Sequence, residues 1–273
     1  MILSWMRLGL AILAALAVRG ATAQDKAPDA VGADFEKARE VLEADNPAEL
    51  FEAKGEDIWN KRRGPDGGSM AQCDLGLGPG VVAGAYVRMP RYFADTKAVM
   101  DAERRVVYCM VKYLGYSEAE IRKQPFSNDS STPDHVSVLT YVAARSRGLP
   151  VEAPQRHPQE RAAYEIGKAI FSYRAGPYDF ACVTCHGEDG KRIRMQTLPN
   201  LAQKADAIKA FQGWPGYRMT GGFMLTQQWR MNDCFRQQRF PEPKYLSDSI
   251  TMLLTYLTVN ANGNTYKGPG IKR

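Results

Sequence analysis

Dense blocks of one charge and long apolar runs are both missing from this chain of 273 residues. Its 36 Lys and Arg stand against 30 Asp and Glu, and the resulting net charge of +6 is not gathered into one segment. Nucleic-acid binding, which leaves a clustered basic footprint, is therefore not expected. The uncharged apolar stretch Leu8–Val18 has only 11 residues. As a helix it would reach about 17 Å, short of the roughly 30 Å of hydrocarbon in a bilayer. No later segment is apolar enough to span a membrane, so the mature protein is expected to be soluble. With 44% hydrophobic and 24% charged residues, the composition is neither disordered nor collagenous. The length allows one large domain or two small ones with a buried core. Cysteine is sparse, and its count of five is odd. If all were disulfide-bonded one would be left over, so at least one needs another use.

The N-terminus reads as a targeting signal. Arg7 precedes the apolar run, and Ala21-Thr22-Ala23 stands before Gln24. A basic start, a short apolar core and an A-x-A ending describe a secretory signal peptide, residues 1–23, cleaved after Ala23. Cleavage removes two arginines and no acidic residue, leaving a net charge of +4 (34 basic, 30 acidic). Export places the remaining cysteines where disulfides persist.

Cys182-Val183-Thr184-Cys185-His186 is a C-x-x-C-H motif, the attachment pattern of a c-type haem. Two thiols three positions apart reach the two vinyl groups of one porphyrin. The adjacent imidazole then lies under the iron as proximal ligand. With five Cys and three His in the chain, chance alone gives about 0.001 such matches. A zinc site would need further Cys or His at short spacing, and none follow. A thioredoxin-type C-x-x-C would need an alternating βαβ context, which is absent.

The flanks agree with haem. Glu165–Tyr173 carries Ile166, Ala169, Ile170 and Tyr173 at helical spacing, and Gly176-Pro177 follows. After an irregular middle, Leu246–Val259 places Ile250, Leu253, Leu254 and Leu257 on one face. A helix, the motif, a loop-rich middle and a last helix resemble the class I cytochromes c.

The same unit is present twice. Gly55, Ile58-Trp59 and Gly64-Pro65 parallel Gly167, Ile170-Phe171 and Gly176-Pro177 at a constant offset of 112. That offset carries Cys185 onto Cys73, Cys182 onto Met70 and His186 onto Asp74. Leu139-Thr140-Tyr141 with Gly148 likewise matches Leu254-Thr255-Tyr256 with Gly263. The expected fold is mainly α: two tandem class I cytochrome c domains, residues 24–150 without haem and residues 151–273 with one covalently attached haem. The join is expected at Gly148–Gln159, where three prolines interrupt any helix. Cys73 and Cys109 are the two cysteines of the first half, and in an exported protein a disulfide between them is expected.

Cys234 is the fifth cysteine. It lies 49 residues after Cys185, in the loop-to-helix region where class I cytochromes present a distal ligand. Met219, Met224 and Met231 are nearby alternatives, and Cys234 could instead be a buried free thiol or an intermolecular disulfide partner. Arg218, Arg230, Arg236, Arg239 and Lys244 surround it, against Asp233 and Glu242. Such cations favour a thiolate and attract an anionic substrate. Arg105 precedes Cys109 by four residues, as Arg230 precedes Cys234.

Tandem cytochrome c units, one C-x-x-C-H, and an Arg-x-x-x-Cys segment running into Arg239-Phe240-Pro241-Glu242 resemble the A subunits of the Sox L-cysteine S-thiosulfotransferases. The resemblance covers most of the mature chain, and the 230–243 segment is its most discriminating part. It implies a periplasmic enzyme that oxidatively couples thiosulfate to a cysteine of a carrier protein. His186 and Cys234 would be the axial ligands, Cys234 the catalytic residue, and Arg230 the substrate contact. It further implies a heterodimer with a small SoxX-like cytochrome c and transient docking of a SoxYZ-like carrier. Many members carry a second C-x-x-C-H; here Met70-Ala71-Gln72-Cys73-Asp74 stands in its place, as in the single-haem branch. The competing expectation is a plain electron-transfer cytochrome c with Met ligation.

Overall fold

The computed structural model describes residues 37–38, 40–63, 67–193 and 196–272. The signal segment 1–23 and the Gly64-Pro65 pair lie outside the described residues. Among the described residues, no helix is long and apolar enough to cross a membrane.

Two helix crossings organise the chain. In the first half, α1 (Ala48–Asn60) packs against α4 (Asp134–Ala144); in the second, α5 (Pro158–Ser172) packs against α9 (Asp248–Asn260). Each crossing is closed by a glycine. A Cβ added at Gly55 would lie 2.1 Å from the carbonyl oxygen of Ser137, and one at Gly167 would lie 2.0 Å from that of Met252. Aromatic pairs flank both contacts: Trp59 and Tyr141 in one, Phe171 and Tyr256 in the other. The repeated Gly, Phe/Trp and Leu-Thr-Tyr of the sequence are therefore the residues of two equivalent helix contacts.

Between α1 and α4 run α2 (Ala102–Leu114) and the short α3 (Glu118–Lys123). Asp101 caps α2 by accepting from the Arg104 N–H, and Gly115, at φ 73°, ends it in the left-handed conformation that glycine adopts freely. A hairpin of β1 (Arg91–Phe93) and β2 (Ala98–Met100) precedes α2. In the second half, α6 (Cys182–His186) is followed by the hairpin β3 (Arg192–Ile193) and β4 (Gln196–Thr197), then by α7 (Lys204–Phe211). Strand β5 (Gly216–Arg218) lies between antiparallel β6 (Phe223–Leu225) and parallel β7 (Gly270–Lys272), and α8 (Gln227–Gln237) follows β6 directly.

Cys73 and Cys109 form a disulfide with S–S 2.05 Å and Cα–Cα 5.6 Å. It closes a loop across a sequence separation of 36. In the chain-entropy description such a loop contributes about 3–4 kcal/mol. Met70, Cys73, Leu75, Cys109 and Met110 are completely buried around it. The space beside this crossing is thus filled by side chains.

Several sequence boundaries shift. The helix expected from Glu165 begins at Pro158, because His157 and Glu160 form a capping box that starts it two turns earlier. The last helix begins at Asp248 rather than Leu246, since Leu246 adopts φ 59° and Ser247 precedes the first turn. The segment after Gly148 is irregular, but it is not a solvated tether. Val151 and Ala153 are buried, and Val151 exchanges backbone hydrogen bonds with Asn264 and Gly263. Prolines prevent a helix there without preventing an extended chain from pairing.

Polar side chains also cross between the halves. Glu103 of α2 is buried and accepts a 2.7 Å hydrogen bond from the Tyr245 hydroxyl, while its Oε2 has no partner. Burial pushes its pKa up to about 8; the Tyr245 bond opposes this and the nearby Asp101 carboxylate reinforces it. In the unfolded chain the group titrates near 4.5. The folded state therefore holds the proton more tightly, and stability present below that value is lost as pH rises through about 8. Denaturant midpoints should fall between about pH 5 and pH 8, and Glu103→Gln, which keeps the acceptor for Tyr245, should flatten that slope. An unchanged slope in the variant would assign the pH dependence to other groups.

Candidate functional site

The candidate site lies between α6 and α8. A loop leads into α6 from α5, held by the Ala175 N–H donating to the Phe180 carbonyl at 2.8 Å. Gly176, at φ 71°, lies against the Arg239 and Phe240 segment that follows α8, where a Cβ would meet the Arg239 carbonyl oxygen at 2.8 Å. Thr184 caps α6 by accepting from the Ala181 N–H at 3.0 Å, so the four-residue span from Cys182 to Cys185 is wound as one helical turn.

His186 closes that turn. Its Nδ1 is 2.9 Å from the Pro199 carbonyl oxygen. A carbonyl only accepts, so Nδ1 carries the proton and Nε2 keeps its lone pair, the arrangement of an imidazole ready to ligate a metal. Burial, with Arg230 nearby, holds the ring's pKa below the ordinary histidine value, while the Pro199 bond opposes that shift. The neutral form is therefore favoured. Sequence reasoning found His186 but not Pro199, whose carbonyl carries no sequence signature.

Cys234 sits inside α8, in its last turns, rather than in a loop. It lies close enough to Cys185 and Cys182 for their charges to act on one another. Cys182, Val183, Met231 and Phe235 border the small buried cluster of Phe171, Leu201, Leu253, Tyr256 and Leu257. Arg230 is one helical turn before Cys234 and shares its face. Burial pushes the Cys234 thiol up; Arg230 pulls it down, and Asp233 and Cys185 add to the rise. Burial outweighs the surrounding cations that the sequence places there. The reason is visible in their partners. Arg236 is bound to Asp233 at 2.7 Å, and Arg218 lies over the Trp229 ring. Asp233, itself buried, accepts from Arg230 at 3.0 Å and from Gln237 at 2.7 Å as well, so it fixes the guanidinium of Arg230 beside the thiol.

The donor set and its surroundings fit a c-type haem. Two thiols and an imidazole with a directed lone pair share one turn, and a further thiol approaches from α8. Cys182, Cys185 and Cys234 are half-buried and none is in a disulfide. Tyr173, Tyr178, Phe180, Ile193 and Met219 are exposed apolar side chains of this half. The first half differs at the equivalent place, where Met70 and Cys73 are 0% exposed. An apolar macrocycle would cover exposed side chains of this kind, whereas Met70 and Cys73 are already covered by protein in the first half. Of the three methionines considered as ligands, Met224 is fully buried against Ala48 and Val136, and Met219 is exposed. Met231 alone of the three packs in the cluster that includes Cys182. No group of three or more His, Cys, Asp or Glu converges as a metal-ion site among the described residues, as a zinc centre would require.

Comparison with known proteins agrees with this arrangement. Residues 54–151 match the profile of the SoxA/TsdA cytochrome c domain, although this is the half without C-x-x-C-H. The L-cysteine S-thiosulfotransferase subunit SoxA of Hydrogenophilus thermoluteolus is 42% identical over 88% of this chain and 87% of its own length. The chain belongs to the SoxA family. A SoxA subunit of Hydrogenobacter thermophilus is 34% identical over 82% of this chain and 83% of its own. The crystal structure of SoxXA from P. pantotrophus superposes with TM-score 0.70 at 28% identity, covering 87% of this chain and 84% of that one. This SoxA-family chain is accordingly a subunit of an L-cysteine S-thiosulfotransferase, built on a mainly helical cytochrome c-type fold with haem as its cofactor.

Proposed function

We propose that the chain is the haem subunit of a periplasmic L-cysteine S-thiosulfotransferase, exported by residues 1–23, with a haem-less cytochrome c domain at 24–150 and a haem domain at 151–273. One haem would be held covalently by Cys182 and Cys185, and His186 and Cys234 would ligate its iron. Cys234 is the catalytic residue and Arg230 the substrate-binding residue. The observation that carries this proposal is the convergence of His186, with its lone pair directed by Pro199, and Cys234 with Arg230 on α8. The repeated glycine crossings, and the filled space around Cys73–Cys109, support the division into two cytochrome c units of which one has lost its haem.

The overall reaction joins thiosulfate to a carrier cysteine: one S–S bond forms, the carrier thiol loses its proton, and two electrons leave. Arg230, a planar donor fork, holds the sulfonate oxygens of the dianion and presents its outer sulfur to Cys234. Asp233 keeps that fork in place from the other side. Oxidative joining of the Cys234 thiolate to the outer sulfur gives a cysteine S-thiosulfonate and releases the two electrons. The carrier thiolate then attacks the sulfur attached to the sulfonate, taking it as its own S-thiosulfonate and returning Cys234 as thiolate. The haem supplies an electron exit beside this cysteine. A small SoxX-like cytochrome as heterodimer partner, in line with the SoxXA structure, and a SoxYZ-like carrier complete the system.

Mass spectrometry of the mature holoprotein is expected to find one covalent haem on the peptide containing Cys182 and Cys185, with one disulfide linking Cys73 to Cys109. Its ferric spectrum should have no near-infrared band of thioether-to-iron coordination. Such a band would assign the distal position to Met231 and support a plain electron-transfer cytochrome instead.

A further inference from the structure

The first half grips the start of α8, the helix that carries Arg230 and Cys234. Gln228, fully buried on the first turn, donates its Nε2 to both carboxylate oxygens of Asp101 at 3.0 Å. Its Oε1 accepts from the Leu246 N–H at 3.0 Å. Leu246 stands at φ 59°, a left-handed conformation that costs a branched residue about 1–2 kcal/mol and must be held by its surroundings. The neighbouring Tyr245 returns to the first half through its hydroxyl bond to Glu103. Asp101 also accepts from Thr251 of α9 at 2.6 Å. These bonds form a closed circuit from α2 to α8, to the 245–246 segment, and back to α2.

The circuit is buried, and it costs more than a plain structural contact needs. Two carboxyl groups two residues apart are taken out of water, and one Glu103 oxygen is left without a partner. An apolar contact of equal volume would join the halves at lower cost. What buried polar bonds add is direction, since each fixes an angle and a register that apolar packing leaves free. Gln228 is six residues before Cys234, so a tilt at this anchor is carried to the thiol along a lever of about 9 Å.

We propose that Asp101, Glu103 and Gln228 are positioning residues for sulfur transfer: the haem-less half orients α8 through them and so sets Cys234 and Arg230 against the haem-binding turn. This rests on the assignment of Cys234 and Arg230 as reacting and substrate-binding residues. The first half thereby has a function without a haem of its own.

The holoenzyme variant Gln228→Leu keeps the volume and removes the bonds to both Asp101 and Leu246. It is expected to lower kcat/KM for thiosulfate by about 10- to 100-fold. The electron paramagnetic resonance signal of its ferric haem should split into more than one species, because a looser α8 offers its thiolate at more than one angle. Gln228→Glu, which sets a second carboxylate against Asp101, should show the same loss, and adding Asp101→Asn should recover it by reversing donor and acceptor. If either single variant is folded with wild-type kcat/KM and a single haem signal, the anchor is only structural and the proposal is overturned. If the double variant is no better than Gln228→Glu, the bond itself does not matter and the proposal also fails. A fully active Cys234→Ala would instead remove the assignment of the reacting residue, while the spectral splitting still judges the anchor.

Discussion

Cys234→Ala in the holoenzyme is expected to lower thiosulfate-dependent transfer to a carrier thiol by at least about a thousandfold. The size follows from what the side chain contributes. Without the thiol no covalent sulfur–sulfur bond forms on the enzyme, and the two-step exchange collapses into one termolecular event. The protein should still fold, because Cys234 is only half-buried and is not one of the buried core residues. It should also keep its haem, since the proposed covalent attachment is at Cys182 and Cys185 and leaves Cys234 out. Stoichiometric haem with lost transfer is therefore the expected pair of results, read by haem content and by reduction of an electron-accepting cytochrome. Retained transfer would sink the catalytic assignment. Arg230→Ala separates binding from chemistry in the same assay, because Asp233 remains satisfied by Arg236 and Gln237.

Local patterns were readable before the fold. C-x-x-C-H is legible because its chemistry is confined to five consecutive residues, and the structure winds them as one turn. The two glycines were legible as a repeat, although only the structure shows what they do: each admits a backbone carbonyl of the crossing helix. The helix α8 was less legible. Its Gln, Arg, Asn and Asp residues interrupt the apolar pattern, leaving Met231 and Phe235 to pack on the cluster, with bonds at its ends and the buried Asp233 holding the rest. The anchor at Gln228 was not legible at all. Asp101 and Gln228 are 127 residues apart, and neither residue type marks a site by itself. The cations near Cys234 are unequal in effect. Burial raises the thiol, and Arg230 pulls it down. Charge counts along a sequence carry no distances or partners.

Gly167→Ala is expected to destabilise the second half by at least about 3 kcal/mol, the upper part of the range for overpacked cores. The added methyl would stand 2.0 Å from the Met252 carbonyl oxygen, 2.7 Å from its carbon and 2.9 Å from the Tyr256 Cβ. Two of these atoms are backbone, so no rotamer change relieves the overlap and α5 must move away from α9. Moving α5 also loosens Phe171 from Tyr256, whose rings are 5.1 Å apart at the base of the cluster bordered by Cys182 and Val183. For a chain of about 250 residues unfolding as one, 3 kcal/mol corresponds to a fall in Tm of about 6–12 °C. Gly55→Ala meets the same obstacle at Ser137, 2.1 Å away, but in a half whose unfolding is opposed by the Cys73–Cys109 bond. The disulfide stabilises the unaltered protein and the Gly55 variant alike, so reduction should lower the Tm of both while the deficit between them stays about the same. Thermal unfolding followed by haem absorbance and by circular dichroism distinguishes the two variants. If Gly167→Ala melts within about 2 °C of the unaltered protein, the close crossing of α5 and α9 is not what holds this half together.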